Sequence, residues 1–293
     1  MNSRIIKKSY PLYMLIPVLV LFCGIYLMSI FAGFGLSLTD WSVARSGLSF
    51  IGSNNFKTLF AEQYFRLALI NVFIYALITT FFTTALGFLL ALLLHNSFRS
   101  RNFFRSLFFL PCTLSTLVVG YIFTFVYQKD GGLLNAILGK IGLGFLAGDW
   151  LVDPGRALYS ICGVGIWMVT GFTAVIILAG LQTVPEELLE AAKIDGANKL
   201  NTVKNIIIPI IRPSINIAII LNAIGGLKVF EMVVALTNGG PGHATEVINT
   251  LMYRNMSYGS LGYASAIGFT QFVIISVLTL PFLAVLTKSE VEM

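Results

Sequence analysis

Five stretches of this 293-residue chain carry no Asp, Glu, Lys or Arg: residues 9–39, 67–98, 106–128, 157–185 and 255–287. Each exceeds the roughly 20 residues that an α-helix needs to cross a bilayer. Backbone in hydrocarbon must satisfy its own hydrogen bonds, so runs this long and apolar are expected to fold as spanning helices. A sixth is less clean. Residues 213–227 are uncharged for fifteen positions, and Lys228 and Glu231 then interrupt before VVAL. A shorter and more polar span is expected there, from about Pro209 to Leu227. The chain is 57% hydrophobic and 11% charged, against about 25% charged in a soluble domain. The expected fold is all-α and integral to the membrane, with six transmembrane helices.

The distribution of Lys and Arg orients those helices. With the N-terminus inside, eleven basic residues fall in inner segments and eight in outer ones. Arg99, Arg101 and Arg105 crowd one short inner turn. Both termini are expected in the cytoplasm. The net charge of +6 then follows largely from this bias and requires no nucleic-acid partner. Basic residues before an apolar run imitate a secretory signal, but the run is longer than the ~7–15 residues of a signal core, so an uncleaved first span is expected. Cys23, Cys112 and Cys162 lie in apolar segments and are read as small buried hydrophobes.

The organisation expected is a first helix and outer segment over 1–67, a membrane-spanning body over 68–287, and a cytoplasmic tail over 288–293. In the outer segment Trp41 suits an interfacial anchor, and Gly47, Gly52, Asn54 and Asn55 read as turns. A third span over about 107–127 carries Pro111 near its start, with Thr113, Ser115 and Thr116 beside it, a setting that tolerates a kink. KDGGLLN in the segment 128–156 reads as a turn and a short amphipathic piece, and LTNGGPGHATE at 236–246 as a turn.

Between the fourth and fifth spans lies a polar, mixed-charge island, TVPEELLEAAKIDGANKLNTVKNIIIPIIRP at 183–213. Thr183 with Glu186 has the form of a capping box, and Pro185 would occupy the first turn. Glu186, Glu187 and Glu190 sit toward the N-terminus, where the helix dipole favours anions. Ala191 and Ala192 leave one side small, and Gly196 is placed to end the helix in a left-handed conformation. The pattern fits a docking helix and equally a solvated amphipathic loop.

Glu190-Ala191-Ala192, Asp195-Gly196-Ala197 and Ile208-Pro209 together resemble the EAA loop of permease subunits of binding-protein-dependent ABC importers. SLTDW at 37–41, FRSLFFLP at 104–111, GGLLN at 131–135 and KVFEMVVALTNGGPG at 228–242 resemble further blocks of the sugar-type permeases, of the maltose and glycerol-3-phosphate first-subunit kind. The sequence departs from that pattern at Asn198-Lys199-Leu200 and at Ile208, positions that bear on which ATPase docks. The resemblance implies a type I importer transmembrane subunit in a prokaryotic cell membrane. It implies ATPase coupling through Glu187, Glu190, Ala191, Ala192, Asp195, Gly196 and Pro209. The implied partners are a second, different permease, a dimer of cytoplasmic ABC ATPases and an extracytoplasmic solute-binding protein. No cofactor is implied on this chain; ATP and Mg would belong to the partner ATPase.

The sequence offers no catalytic pattern of its own. Gly139-Lys140 is followed by Ile141 rather than Ser or Thr, and Gly239-Gly240-Pro241-Gly242 has no following Lys, so neither reads as a phosphate cradle. His95 and His243 stand alone, without metal-ligand spacing. Charges at membrane depth are costly, which singles out Lys228 and Glu231; three apart, they are expected on one helical face and able to pair. They read either as an interfacial pair ending the span or, with Asn216 and Asn222, as the lining of a path for a hydroxyl-rich solute. Tyr121, Trp167 and Phe230 would supply aromatic faces. The expected cargo is a sugar, an oligosaccharide by preference, with glycerol-phosphate-type or other polar solutes as the alternative. A self-sufficient secondary transporter would call for inverted repeats and a paired intramembrane carboxylate, and a scaffold would need no Thr79, Thr80, Thr83, Thr84 or Asn71 inside its spans.

Overall fold

The computed structural model describes residues 12–44 and 47–288. Arg4, Lys7, Lys8 and Arg45, which enter the charge bias, and the tail 289–293 lie outside the described residues. Among the described residues the secondary structure is helical apart from one isolated antiparallel bridge, Thr39 to Phe50. Five helices among the described residues are long and apolar enough to cross a membrane: α1 (Tyr13–Ser37), α3 (Gln63–His95), α7 (Pro154–Leu181), α9 (Lys199–Leu227) and α12 (Leu261–Lys288). A sixth span exists if the bent pair α4 (Arg101–Thr113) and α5 (Thr116–Val126) is one crossing. Shorter helices are α2 (Asn54–Ala61), α6 (Leu133–Lys140), α8 (Glu186–Ile194), α10 (Glu231–Leu236) and α11 (Ile248–Ser257).

The chain divides into two compact units, one of residues up to Glu62 with Met252–Val273, the other of Gln63–Leu251 with Ile274 onward. In the first unit, α1 buries nothing between Ile16 and Leu27, as befits a helix apolar on every side and solvated by lipid or other helices. Its C-terminal end is tied down instead. The Asn55 amide donates to the carbonyls of Ser37 and Thr39, both at 2.8 Å, and Phe34 packs on Phe269 with centroids 4.7 Å apart. Asn54 and Asn55 belong to helix α2 rather than to a turn, and Asn55 is a buried polar group retained there because it closes backbone bonds. Cys23 is exposed, Cys112 half-buried and Cys162 buried, so only Cys162 fits the buried reading fully.

The second unit is built on α3, α7 and α9, which pack on one another. At 33 residues, α3 extends about 50 Å. At one end of the three helices, Ala91, Ala174, Ile177, Leu178, Leu181, Ile211 and Ala218 form a closed apolar core. Small residues let the backbones approach, as membrane helices require where lipid is as apolar as a side chain. A Cβ on Gly226 of α9 would fall 2.7 Å from the Ala76 Cα of α3.

Two spans differ from expectation. The third breaks: α4 and α5 meet at 96°, with Leu114 and Ser115 extended between them at ψ of 151° and 130°. Pro111 cannot donate to the ladder, and the Thr113 hydroxyl turns back onto the Leu110 carbonyl at 2.7 Å, so the helix stops rather than kinks. The fifth span begins ten residues before Pro209, at Lys199. Asn198 caps it by accepting the Asn201 N–H at 2.8 Å, and a widened π turn at Val203–Ile207 sits directly ahead of Pro209, which has no N–H to continue the ladder. Helix length here exceeds the apolar run because polar residues can extend a helix out of the bilayer.

Gly171 of α7 is where α4 crosses: a Cβ there would lie 1.8 Å from the Phe108 carbonyl oxygen. Gly171→Ala is expected to cost about 1–3 kcal/mol and to lower the thermal unfolding midpoint in detergent. Gly225→Ala, with nothing within 4 Å of its Cβ position, serves as the control; equal midpoints for the two variants would contradict the crossing.

Candidate functional site

At one end of the second unit, helix α8 stands between the end of α7 and the start of α9. Glu186, Glu187, Glu190, Ala191 and Lys193 are exposed on it, and so are the apolar Leu188, Ile194 and, just beyond, Leu200. Ala192 is its buried residue. The exit is tightly made. Gly196 has φ +73°, the Ala197 N–H donates to the Ala192 carbonyl at 2.9 Å, and the Gly196 N–H to the Lys193 carbonyl at 3.2 Å. These two bonds are a Schellman closure, with Asp195 as the last half-helical residue and Gly196 in the left-handed position that a Cβ disfavours.

The entry corrects the capping box. Pro185, extended at ψ 133°, is the N-cap, and no side chain caps α8. The Thr183 hydroxyl instead donates to Gly180 at 2.8 Å, closing the end of α7. Helix α8 therefore starts two residues later than a Thr183 cap requires, and Thr183 serves the preceding helix. Val184 on one side and Ile207 on the other pack against the apolar core of α3, α7 and α9, so both flanks of α8 are rooted in the same cluster. Pro209 lies in α9, past the π turn.

The proposed path residues are not gathered in one place. Asn222 is buried and central: its amide donates to Thr84 and Thr173, each at 3.2 Å, linking α9 to α3 and α7. Asn216 is buried in α9. Trp167 stands half-exposed against Phe123, with centroids 5.3 Å apart, and lines an apolar cavity of about 670 Å³ with Leu90, Phe108, Pro111 and Thr170. Tyr121 is exposed on α5.

Lys228 and Glu231 do not share a helical face. Lys228 ends α9, Glu231 opens α10, and Phe230 between them has φ −150°, ψ −69°. The break follows from what the local backbone does: the Asn249 amide binds the carbonyls of Lys228 and Val229, at 3.0 and 3.2 Å. No ion pair joins the two charges among the described residues, and both are exposed.

Sequence reasoning missed a polar cluster in the glycine-rich turn. Glu246 is fully buried. It accepts the Thr250 hydroxyl at 2.6 Å and meets His243 Nδ1 at 2.8 Å. The Asn71 amide donates to the Ala244 and Glu246 carbonyls at 3.0 and 2.9 Å, and Tyr64 stacks on the His243 ring at 4.0 Å. His243 is thus no lone histidine. The available signal was an acid three residues after a histidine within a turn that folds back on itself, at Asn238 (φ 50°) and His243 (φ 68°).

Removing one member of such a network orphans the rest. Asn222→Ala and Glu246→Ala are each expected to cost about 1–3 kcal/mol, and Lys228→Ala to leave stability unchanged, as read by thermal unfolding in detergent. A Lys228→Ala variant as damaged as Asn222→Ala would restore a structural role for that lysine.

A family model described as the binding-protein-dependent transport system inner membrane component matches residues 83–287. The probable ABC transporter permease protein YurN of Bacillus subtilis is 36% identical, with 94% of each chain covered. The trehalose/maltose transport system permease protein MalF of Thermococcus litoralis is 29% identical, over 93% of this chain and 92% of its own. A crystal structure of a bacterial ABC transporter involved in the import of the acidic polysaccharide alginate superposes with a TM-score of 0.82 at 25% identity, covering 97% of this chain and 98% of that one.

Proposed function

Because this chain belongs to the family of inner membrane components of binding-protein-dependent transport systems, we propose that it forms the path for a sugar in an ABC importer and couples that path to a separate ATPase through α8. The single observation that carries the coupling is the build of α8. Its charged and apolar side chains are displayed outward, its exit is locked by the Schellman closure, and both flanks are rooted in one apolar core. A helix held that way transmits a push as a rigid body, because a closely packed core has discrete arrangements and does not yield continuously.

Under this reading a dimer of ATPases docks on the α8 side. A second, different permease completes the path, and an extracytoplasmic binding protein delivers the sugar at the other end. ATP and Mg stay on the ATPase. The bias of basic residues supports both termini lying on the ATPase side. A sugar is favoured by the trehalose/maltose relative, and an oligosaccharide by the polysaccharide importer of like fold. A glycerol-phosphate-type anion would ask for more cationic groups than Lys228 supplies. Family membership sets aside the self-sufficient secondary transporter and the scaffold.

Mild-detergent purification of the tagged chain from its host is expected to bring down a second permease and an ABC ATPase. A chain that purifies alone, or only with itself, would refute the partnership. The lever has its own test. Nothing lies within 4 Å of a Cβ at Gly196, so a side chain there clashes with nothing and its strain is that of the left-handed backbone, about 1–2 kcal/mol. Gly196→Asp is expected to leave the complex in the membrane and abolish uptake, whereas Gly196→Asn, which tolerates the left-handed region better, retains part of it. Normal uptake by Gly196→Asp would sink the lever.

A further inference from the structure

At the end of α7 remote from α8 the chain builds a second pocket that neither the coupling helix nor the buried asparagines use. After α5 it turns at Gly131 (φ +78°), forms α6, and returns through Trp150 to start α7 at Pro154. Asn135 fastens the return. Its amide donates to the Lys129 and Gly148 carbonyls at 2.9 and 3.0 Å, and its oxygen accepts the Trp150 indole N–H at 2.7 Å. The Ser160 hydroxyl donates to the Trp150 carbonyl at 2.9 Å, and the Tyr127 hydroxyl to the Ser160 carbonyl at 3.1 Å. Trp150 is therefore held by both its backbone and its indole.

Around it, the Tyr127 ring lies with its centroid 6.3 Å away and the Arg156 guanidinium 5.6 Å from the ring. With Tyr159 these groups wall an open cavity of about 450 Å³, within the roughly 300–1,000 Å³ of small-molecule sites. Tyr159 is 57% exposed, so its ring is free to cover a ligand.

The chemistry selects the ligand. Aromatic faces with polar rims match a ring that has an apolar C–H face and a hydroxylated edge. Arg156 has five N–H donors; Nη1 is committed to the Leu146 carbonyl at 3.2 Å, and Nε faces Asp153 at 3.4 Å. The remaining donors can bind hydroxyls, while the Asp153 carboxylate offsets the cation and makes the site a poor one for an anion. We infer that this pocket is a subsite for one neutral pyranose ring of the transported sugar, about 40 Å from the coupling helix along α7. The inference rests on the sugar-importer reading and adds to it a place where sugar is held at the mouth of the path.

The test is saturation-transfer NMR on the assembled transporter in nanodiscs, without binding protein, using maltotriose, cellotriose and chitotriose as probes. Transfer to pyranose protons is expected from at least one probe. Tyr159→Ala should weaken that binding about 2- to 10-fold, Arg156→Gln should weaken it as well, and Tyr159→Phe should preserve it. No transfer from any probe, or equal transfer with Tyr159→Ala, overturns the subsite. So does a Tyr159→Ala complex that binds the probes normally but loses ATPase stimulation by the binding protein, which would make the pocket a protein contact. Chain-dependent sugar uptake by cells tests the importer separately: uptake present with Tyr159→Ala binding unchanged sinks the subsite alone.

Discussion

The second unit depends on the close packing of α3, α7 and α9. In a bilayer the hydrophobic effect cannot drive helices together, so contact has to come from surface fit and from polar groups satisfied across the interface. Both are present. Gly226 brings the α9 backbone against α3, and Asn222 bonds side chains on the other two helices. The apolar core at one end of these helices then roots the residues flanking α8. An exposed nine-residue helix has little stability of its own; this one is defined by its anchors and its glycine exit.

The other end is built on a different principle. There the chain leaves regular helix, and side-chain amides replace the ladder. Asn71 collects the Ala244 and Glu246 carbonyls, Asn135 the Lys129 and Gly148 carbonyls, and Asn249 those of Lys228 and Val229. Asn55 does the same for Ser37 and Thr39 in the first unit. Irregular backbone at or near a membrane has to find such partners, since an unsatisfied carbonyl in a low dielectric is expensive. The buried Glu246, with Thr250 and His243 on its two oxygens, follows the same logic with a side-chain carboxyl group. One end of the second unit is thus suited to transmit motion and the other to hold shaped surface.

Much of this was legible in the sequence. Spans one, two, four and six are where uncharged runs demanded them, and Gly196 takes the left-handed exit that IDGAN suggested. The misreadings share a cause. Thr183 and Glu186 have the spacing of a capping box, but Thr183 has a nearer acceptor in Gly180. Lys228 and Glu231 have the spacing of a helical pair, but the helix ends between them. Spacing states what a helix would bring together and does not state where the helix stops.

The sequence by itself determined that the chain crosses a membrane on apolar helices, that a charged helix interrupts them, and to which family it belongs. These follow from composition and local order, because a bilayer punishes every exposed backbone group and a long motif is read residue by residue. Only the tertiary structure decided that the third span breaks at Leu114 and Ser115, that Asn222 ties three helices, that Glu246 is buried with His243, and that Trp150, Tyr127 and Arg156 meet around one pocket. Those contacts join residues 3 to 138 positions apart. The long-range ones form because of where the helices cross, which side-chain fit sets and no local pattern records.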